Sequence, residues 1–172
     1  MLLLLLLPAC SETPLPPATL CAGEFTPVAT VQGDGYTSPL LDAPVSVTGV
    51  VTRVESNRGF YLEDGVSTTS ERASRGLFVA LRDLSSVAAG QHVAVAGRVS
   101  ESGSGRDTLT ALVDAEVTAT CAEGLELPLS AVHMPLDARQ REALEGMRIN
   151  VEGNLVLADR KHLRNVEATL SP

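Results

Sequence analysis

A run of short, turn-bounded segments between Val45 and Val113 constrains the fold more than any other feature of the chain. Each segment is rich in β-branched residues or alternates apolar with polar residues, and Gly, Asp, Asn or Ser residues separate it from the next. The segments are 45–54, 58–64, 76–81, 90–99 and 107–113. Segments of this length and pattern predict five consecutive β-strands.

Five short strands in succession are typical of a small closed barrel. We therefore predict a mainly β fold, an OB-like five-stranded barrel with extra strands and one short C-terminal helix. The helix is predicted over residues 136–145, because Asp137 can cap its amino end and Gly146 can end it. A short strand or lead-in segment is predicted over 25–33, and extra strands over 115–121, 147–151, 155–157 and 166–170.

Length and charge limit the classes of function. The chain has 172 residues, enough for one ordinary domain after a leader, and we predict a leader and tether over 1–20 and one domain over 21–172. Its 13 basic and 21 acidic residues give a net charge of −8, which repels polyphosphate. Binding to nucleic acid would therefore depend on a local basic patch.

The first residues have the pattern of an export signal. Leu2 to Leu7 form an apolar run too short to span a bilayer, followed by Leu-Pro-Ala-Cys ending at Cys10. This pattern resembles a bacterial lipobox, which implies acylation of Cys10 and a membrane anchor on a Pro-rich tether over 11–19. A plain signal peptide with an incidental Cys10 is the alternative. Both predict export, to a bacterial outer or cytoplasmic membrane or to the medium.

The cysteine count predicts one disulfide. If Cys10 is acylated, Cys21 and Cys121 remain as a pair in an oxidising compartment, and we expect them to be bonded to each other. Two free buried thiols are the alternative. Two cysteines do not complete a tetrahedral metal site, and the three histidines lack ligand spacing, so no metal or cofactor is predicted.

Strand alternation predicts a surface that could bind single-stranded nucleic acid. It places Phe60, Leu62, Leu77, Val79 and Leu81 in the core and leaves neighbouring side chains outside, and a bulge at Gly49 would turn Arg53 outward. Aromatic rings that stack on bases and guanidinium groups that meet phosphates are the elements of such a surface. The candidate residues are Arg53, Arg58, Tyr61, Arg75, Phe78 and Arg82.

Two considerations weigh against strong binding at this surface. Acidic residues, among them Glu55, Glu63 and Asp83, alternate with the arginines, so any binding should be weak and salt-sensitive. Tyr61 and Phe78 could instead pack against the C-terminal part of the chain.

Glu142, Glu145 and His133 lack paired spacing, and we expect them to be solvated surface groups.

An ordered set of short motifs resembles one family. The motifs are Thr-Pro at 26–27, Val-Gln-Gly at 31–33, Ser-Pro-Leu at 38–40, residues 45–51, Gly-Phe-Tyr-Leu-Glu-Asp at 59–64, Gly-Leu-Phe-Val at 76–79, and residues 144–148 and 167–171. Together they resemble the OB-like, non-catalytic region of large secreted bacterial endonucleases of the endonuclease/exonuclease/phosphatase superfamily. That resemblance implies an accessory module that binds nucleic acid or a partner.

The resemblance is incomplete, and alternatives follow from that. The loop over 65–75 lacks the Asp-rich composition common in the family, and the family's catalytic segments do not occur before Pro172. We therefore expect that this chain is not itself an enzyme. A structural or protein-interaction lipoprotein domain with an unknown partner, and the N-terminal fragment of a truncated nuclease, are the alternatives.

Overall fold

A computed structural model describes residues 21–65, 72–105 and 107–153 of the chain. These residues form seven strands and two short helices, in a mainly β fold. In chain order they are α1 (Val28–Gln32), β1 (Pro44–Glu55), β2 (Gly59–Glu63), β3 (Gly76–Ala80), β4 (His92–Ser104), β5 (Asp107–Ala122), β6 (Ser130–His133), α2 (Ala138–Glu142) and β7 (Ile149–Glu152). The leader with Cys10 and the strands predicted over 155–157 and 166–170 lie outside the described residues.

The five predicted strands form one closed ring. Its order is β1-β2-β3-β5-β4, and β4 pairs back onto β1. All neighbours are antiparallel except β3 and β5, which run parallel with Phe78 opposite Ala111 and Val79 opposite Leu112. The prediction of five consecutive strands is confirmed. Residues 115–121, predicted as an extra or continuing strand, continue β5.

The interior of the ring is filled by valine and leucine side chains and by Phe60. Phe60, Leu62, Leu77 and Val79 are fully buried, as alternation predicted, whereas Leu81 is only partly buried and packs against the edge of the core. The other fully buried members from the strands are Val47, Val51, Val93, Val95, Val99 and Leu112.

The bulge in β1 lies at a different residue from the one predicted. The register between β1 and β2 shifts between Val51 and Arg53, so the extra residue is Thr52 rather than Gly49. Arg53 is exposed, as predicted. Gly49 has another role: a β-carbon there would lie 2.8 Å from the carbonyl oxygen of Glu63, so the glycine permits close approach of β1 and β2.

Residues Val28–Gln32 form a helix within the segment 25–33, so of the two alternatives predicted there, a short strand or a lead-in segment, the strand was wrong. Val28 and Val31 lie three residues apart, on one face of α1, and both are fully buried in the core. The buried carboxylate of Asp64 accepts a hydrogen bond from the backbone N–H of Val28 at 3.4 Å. A helix therefore buries two apolar residues that are three apart, which an alternating strand would place on opposite faces.

The C-terminal helix is shorter than predicted but is capped as predicted. Asp137 accepts a hydrogen bond from the backbone N–H of Gln140, and the Gln140 side chain accepts one from the backbone N–H of Asp137, both at 2.8 Å. This reciprocal pair is a capping box. The helix joins β6 to β7, which form a separate two-stranded parallel sheet. One helix was predicted, and α1 is an additional helix that the prediction missed.

We call residues 137–148 the arm.

Cys21 and Cys121 lie together as predicted. Their sulfur atoms are at disulfide distance and their Cα atoms are 5.9 Å apart. Because Cys121 lies near the end of β5, the pair ties the start of the described chain to the ring. Neither helix of the described residues has the length and apolarity to cross a bilayer.

Candidate functional site

The two aromatic residues of the predicted binding surface form a pair on the outside of the ring. Tyr61 and Phe78 are directly opposite each other on β2 and β3, and their ring centroids are 4.9 Å apart with a 52° angle between the planes. Phe78 is only 6% exposed and Tyr61 is half-buried. Phe78 lies outside the interior of the ring, as alternation predicted, but neighbouring groups cover it and little of its ring is open to a ligand.

The covering groups come from two directions. The guanidinium carbon of Arg58 lies 5.8 Å from the centroid of the Phe78 ring, in a cation–π arrangement. On the other side, a β-carbon on Gly146 would lie 3.4 Å from Cδ1 of Tyr61, so the arm lies against the tyrosine ring. The alternative of packing against the C-terminal part of the chain is thus confirmed for Tyr61.

The arginines of this surface are partly neutralised by one carboxylate. Glu55 lies 2.8 Å from Nη1 of Arg58 and 3.7 Å from Nη2 of Arg53. The two arginine side chains are nevertheless 62% and 44% exposed, so their guanidinium groups remain open to solvent. Burial, and then the charge of Glu55, raise the pKa of Tyr61 above its ordinary value. The Tyr61 hydroxyl therefore stays neutral at physiological pH.

The structure does not gather all six candidate residues. Arg53, Arg58, Tyr61 and Phe78 are joined by the contacts above. Arg75 immediately precedes β3, at the end of the strand pair where Glu63 lies opposite Gly76. Arg82 is exposed in the loop that follows β3. The possible binding surface therefore reduces to the two arginines and the edge of the aromatic pair, which we call the Arg58 edge.

The arm occupies the part of the β2–β3 surface next to the Arg58 edge. A β-carbon on Gly76 would lie 2.3 Å from the carbonyl carbon of Gly146, so the two backbones are in direct contact. The Ser74 hydroxyl donates to the carbonyl oxygen of Glu145 at 2.5 Å. The backbone N–H of Arg148 donates to the buried carboxylate of Glu63 at 2.8 Å. These contacts dock the arm on the outer surface of β2 and β3.

A second group of residues lies where the arm meets the ring, and sequence reasoning missed it. Glu145 is half-buried rather than solvated, and burial raises its pKa to about 7. Its Oε1 accepts hydrogen bonds from the backbone N–H of Thr110 at 2.9 Å and from Nε2 of Gln32 at 3.3 Å. The expectation of a solvated Glu145 was wrong because a long-range contact with β5 and α1 covers this side chain.

Two further carboxylates complete this group. Oε1 of Glu101 accepts from the Thr110 hydroxyl and from the backbone N–H of Ser38, both at 2.8 Å. Oε2 of Glu101 is buried and has no hydrogen-bond partner among the residues that the structure describes. Burial, and then the charge of Glu101, raise the pKa of the half-buried Glu142. We call Glu101, Glu142 and Glu145 the carboxylate cluster.

In contrast, His133 is exposed, as expected, and lies 3.3 Å from Glu152.

A cavity of about 200 Å³ adjoins the cluster. Its charged lining residues are of both signs, Asp34 and Glu142 against Arg72 and Arg139. In the described ranges, no group of three or more His, Cys, Asp or Glu side chains is arranged to hold a metal ion.

Comparisons of the chain with protein-family models, with curated proteins and with solved structures found no match. The resemblance to secreted endonucleases therefore rests on the sequence motifs alone and stays a prediction.

Proposed function

We propose that the chain is an exported, non-catalytic OB-like module similar to the accessory region of extracellular nucleases. The observation that carries the proposal is the closed order β1-β2-β3-β5-β4 with β3 parallel to β5. A five-stranded Greek-key barrel is the architecture of OB folds, which act as binding modules through the surface of strands 2 and 3 and the adjoining loops. The module is held at a membrane by a lipid on Cys10, and the proximity of Cys21 and Cys121 supports an oxidising compartment.

Weak binding of single-stranded nucleic acid is the activity that the Arg58 edge supports. An OB module binds with strands 2 and 3, and here the Arg58 guanidinium lies over Phe78 beside Tyr61 on those two strands. Two exposed guanidinium groups can meet two phosphates, while Glu55 lowers their net charge. The affinity is low because the whole chain carries −8 and the arm covers part of the surface.

A titration of labelled single-stranded DNA tests this activity. With two phosphate contacts, the slope of log affinity against log salt is about −1.4, so a tenfold rise in salt weakens binding by about 25-fold. We expect saturable binding only at low salt, and Arg58→Ala should abolish it. Arg139→Ala is the matched control, since it removes an exposed arginine of the arm and should leave binding unchanged.

Absence of saturable binding at low salt would favour the second candidate, a structural or protein-interaction domain. The docked arm supports that candidate, because it covers part of the surface that OB modules use for ligands. Equal loss of binding in the Arg58 and Arg139 variants would also contradict a specific Arg58 edge.

The third candidate, a truncated nuclease, is tested by reading the genomic DNA beyond the codon for Pro172, where a catalytic region would support it.

A further inference from the structure

The carboxylate cluster joins the arm to the ring mainly through Thr110. Thr110 on β5 uses its backbone N–H to bind Oε1 of Glu145 and its hydroxyl to bind Oε1 of Glu101. Two carboxylates from distant parts of the chain are thus held side by side over one residue. Gln32 of α1 reinforces the contact by donating to Glu145 at 3.3 Å and to the carbonyl oxygen of Gly76 at 2.6 Å.

The charged groups that act on Glu145 itself are negative, whereas the cations Arg72 and Arg139 share the lining of the adjoining cavity with Glu142. Glu101 faces it from β4 and Glu142 from α2, and both oppose its ionisation. On β2, the charge of Glu145 acts on the hydroxyl group of Tyr61, which stays neutral because its pKa is raised. Among the described residues, the hydrogen bonds to Glu145 come from the uncharged Gln32 amide of α1 and the Thr110 backbone of β5, and Gln32 also donates to the Gly76 carbonyl oxygen of β3. The guanidinium group of Arg148 in the arm lies with Nε 3.8 Å from Glu63 and donates through Nη2 to the carbonyl oxygen of Leu127.

A buried carboxylate oxygen without a hydrogen-bond partner makes the negative charge of the cluster costly. Oε2 of Glu101 is buried and accepts no hydrogen bond within the described residues. Leaving a buried carboxylate oxygen unpaired is costly, and placing like charges side by side adds to the cost. A proton held among the carboxyl groups would lower both costs.

We propose that a proton held in the carboxylate cluster latches the arm to the ring, so that the arm is docked at acidic pH and loosens as the pH rises. When the arm leaves, Glu142 and Glu145 enter water and ionise, while Glu101 keeps its bonds to Ser38 and Thr110. The latch is reversible and controls how much of the β2–β3 surface the arm covers. This proposal does not depend on whether the Arg58 edge binds nucleic acid.

The direction of the pH effect follows from the difference between the pKa of Glu145 in the docked state and in the released state. Burial raises the pKa of Glu145 from 4.5 to about 7 in the docked state. The docked state therefore binds the proton more tightly, and its advantage is complete below about pH 4.5 and is lost as the pH rises through 7. Because Glu145 is partly accessible to solvent, we expect the docking equilibrium to change on the order of 100-fold at most. Burial also raises the pKa of Glu142 and Glu63, which acts in the same direction.

Amide hydrogen exchange tests the latch directly. The reporters are the N–H groups of Thr110 and Arg148, which bind Glu145 and Glu63, and the reference is the N–H of Val51, which binds the carbonyl oxygen of Gln91 within the ring. After correction for intrinsic exchange, protection of the two reporters should fall at least about tenfold between about pH 5 and pH 8. Protection of Val51 should stay constant.

Two substitutions separate the latch from a general pH effect. Glu145→Gln removes the carboxyl group with the largest pKa shift and should reduce the pH-dependent loss of reporter protection well below that of wild type, the remainder coming from Glu142 and Glu63. Glu126→Gln neutralises an exposed carboxylate and should keep the wild-type profile. A flat wild-type profile, protection that rises with pH, or a Glu145→Gln protein that loses as much protection as wild type would overturn the proposal. If Glu145→Gln does not fold, Glu142→Gln should move the wild-type midpoint to lower pH, and an unchanged midpoint would equally overturn it.

Discussion

Gly59→Ala is expected to lower the free energy of unfolding by about 3 kcal/mol or more. Gly59 has φ of 150°, a conformation that residues with a β-carbon rarely adopt. A β-carbon there would lie 1.9 Å from the carbonyl oxygen of Val79 and 3.0 Å from Cζ of Phe78. The obstructing oxygen belongs to the paired backbone of β3, so the strands would have to separate. Urea denaturation followed by circular dichroism measures the loss.

Gly124→Ala is the matched control for that substitution. Gly124 also has a positive φ, 69°, but a β-carbon there would meet nothing within 4 Å. It should cost only the conformational strain, about 1 kcal/mol. If the two substitutions destabilise the protein equally, the close approach of β2 and β3 at Gly59 is not as described.

Removal of both Cys21 and Cys121 should have the other large effect. The two residues are separated by 100 positions, and closing a loop of that size contributes between about 4 and 5 kcal/mol in the chain-entropy model. The double serine variant should therefore be less stable by about that amount than the oxidised wild-type protein. Wild type treated with a reductant should approach the stability of the variant.

Cys10→Ser is the control for the cysteine pair. The predicted pairing leaves Cys10 out, so its replacement should not change the free energy of unfolding. A destabilisation by Cys10→Ser equal to that of the double variant would contradict the pairing. So would a double variant that loses less than about 1 kcal/mol, which is far below the loop-closure expectation.

The ring was the most predictable part of the protein because its signal is local. Alternation along β2 and β3 identified Phe60, Leu62, Leu77 and Val79 as core residues, and all four are fully buried. A side chain's face on a strand follows from its position in the strand. The cap at Asp137 was equally local, since the capping box needs only two residues three positions apart.

Several features that local patterns do not determine were predicted wrongly, although the pairing of Cys21 with Cys121 across 100 residues was predicted correctly. Alternation correctly placed Phe78 outside the core, but it carries no information on what covers the ring from outside. Glu145 has an acidic neighbour at Glu142, a pattern typical of a solvated helix, and only its contact with Thr110 reveals its burial. The bulge at Thr52 was missed because a glycine usually marks such a site, whereas Gly49 instead permits a close approach of strands.

The arm links the fold to the proposed activity. Its contact between Gly146 and Gly76 places the chain's own backbone on a surface that an OB module would offer to a ligand. Binding at the Arg58 edge and docking of the arm therefore concern adjacent areas of one surface. A protein that releases its arm at higher pH would expose more of β2 and β3, whatever the partner.

The pairing of β3 with β5 is the contact that closes the ring, and it is the most direct test of the account. We expect nuclear Overhauser contacts between the backbones of Phe78 and Ala111 and of Val79 and Leu112, in a parallel register, together with antiparallel contacts between Val47 and Val95. A protein that shows the contacts between β1 and β4 but none between β3 and β5 would have an open sheet, and the OB-like proposal would be wrong.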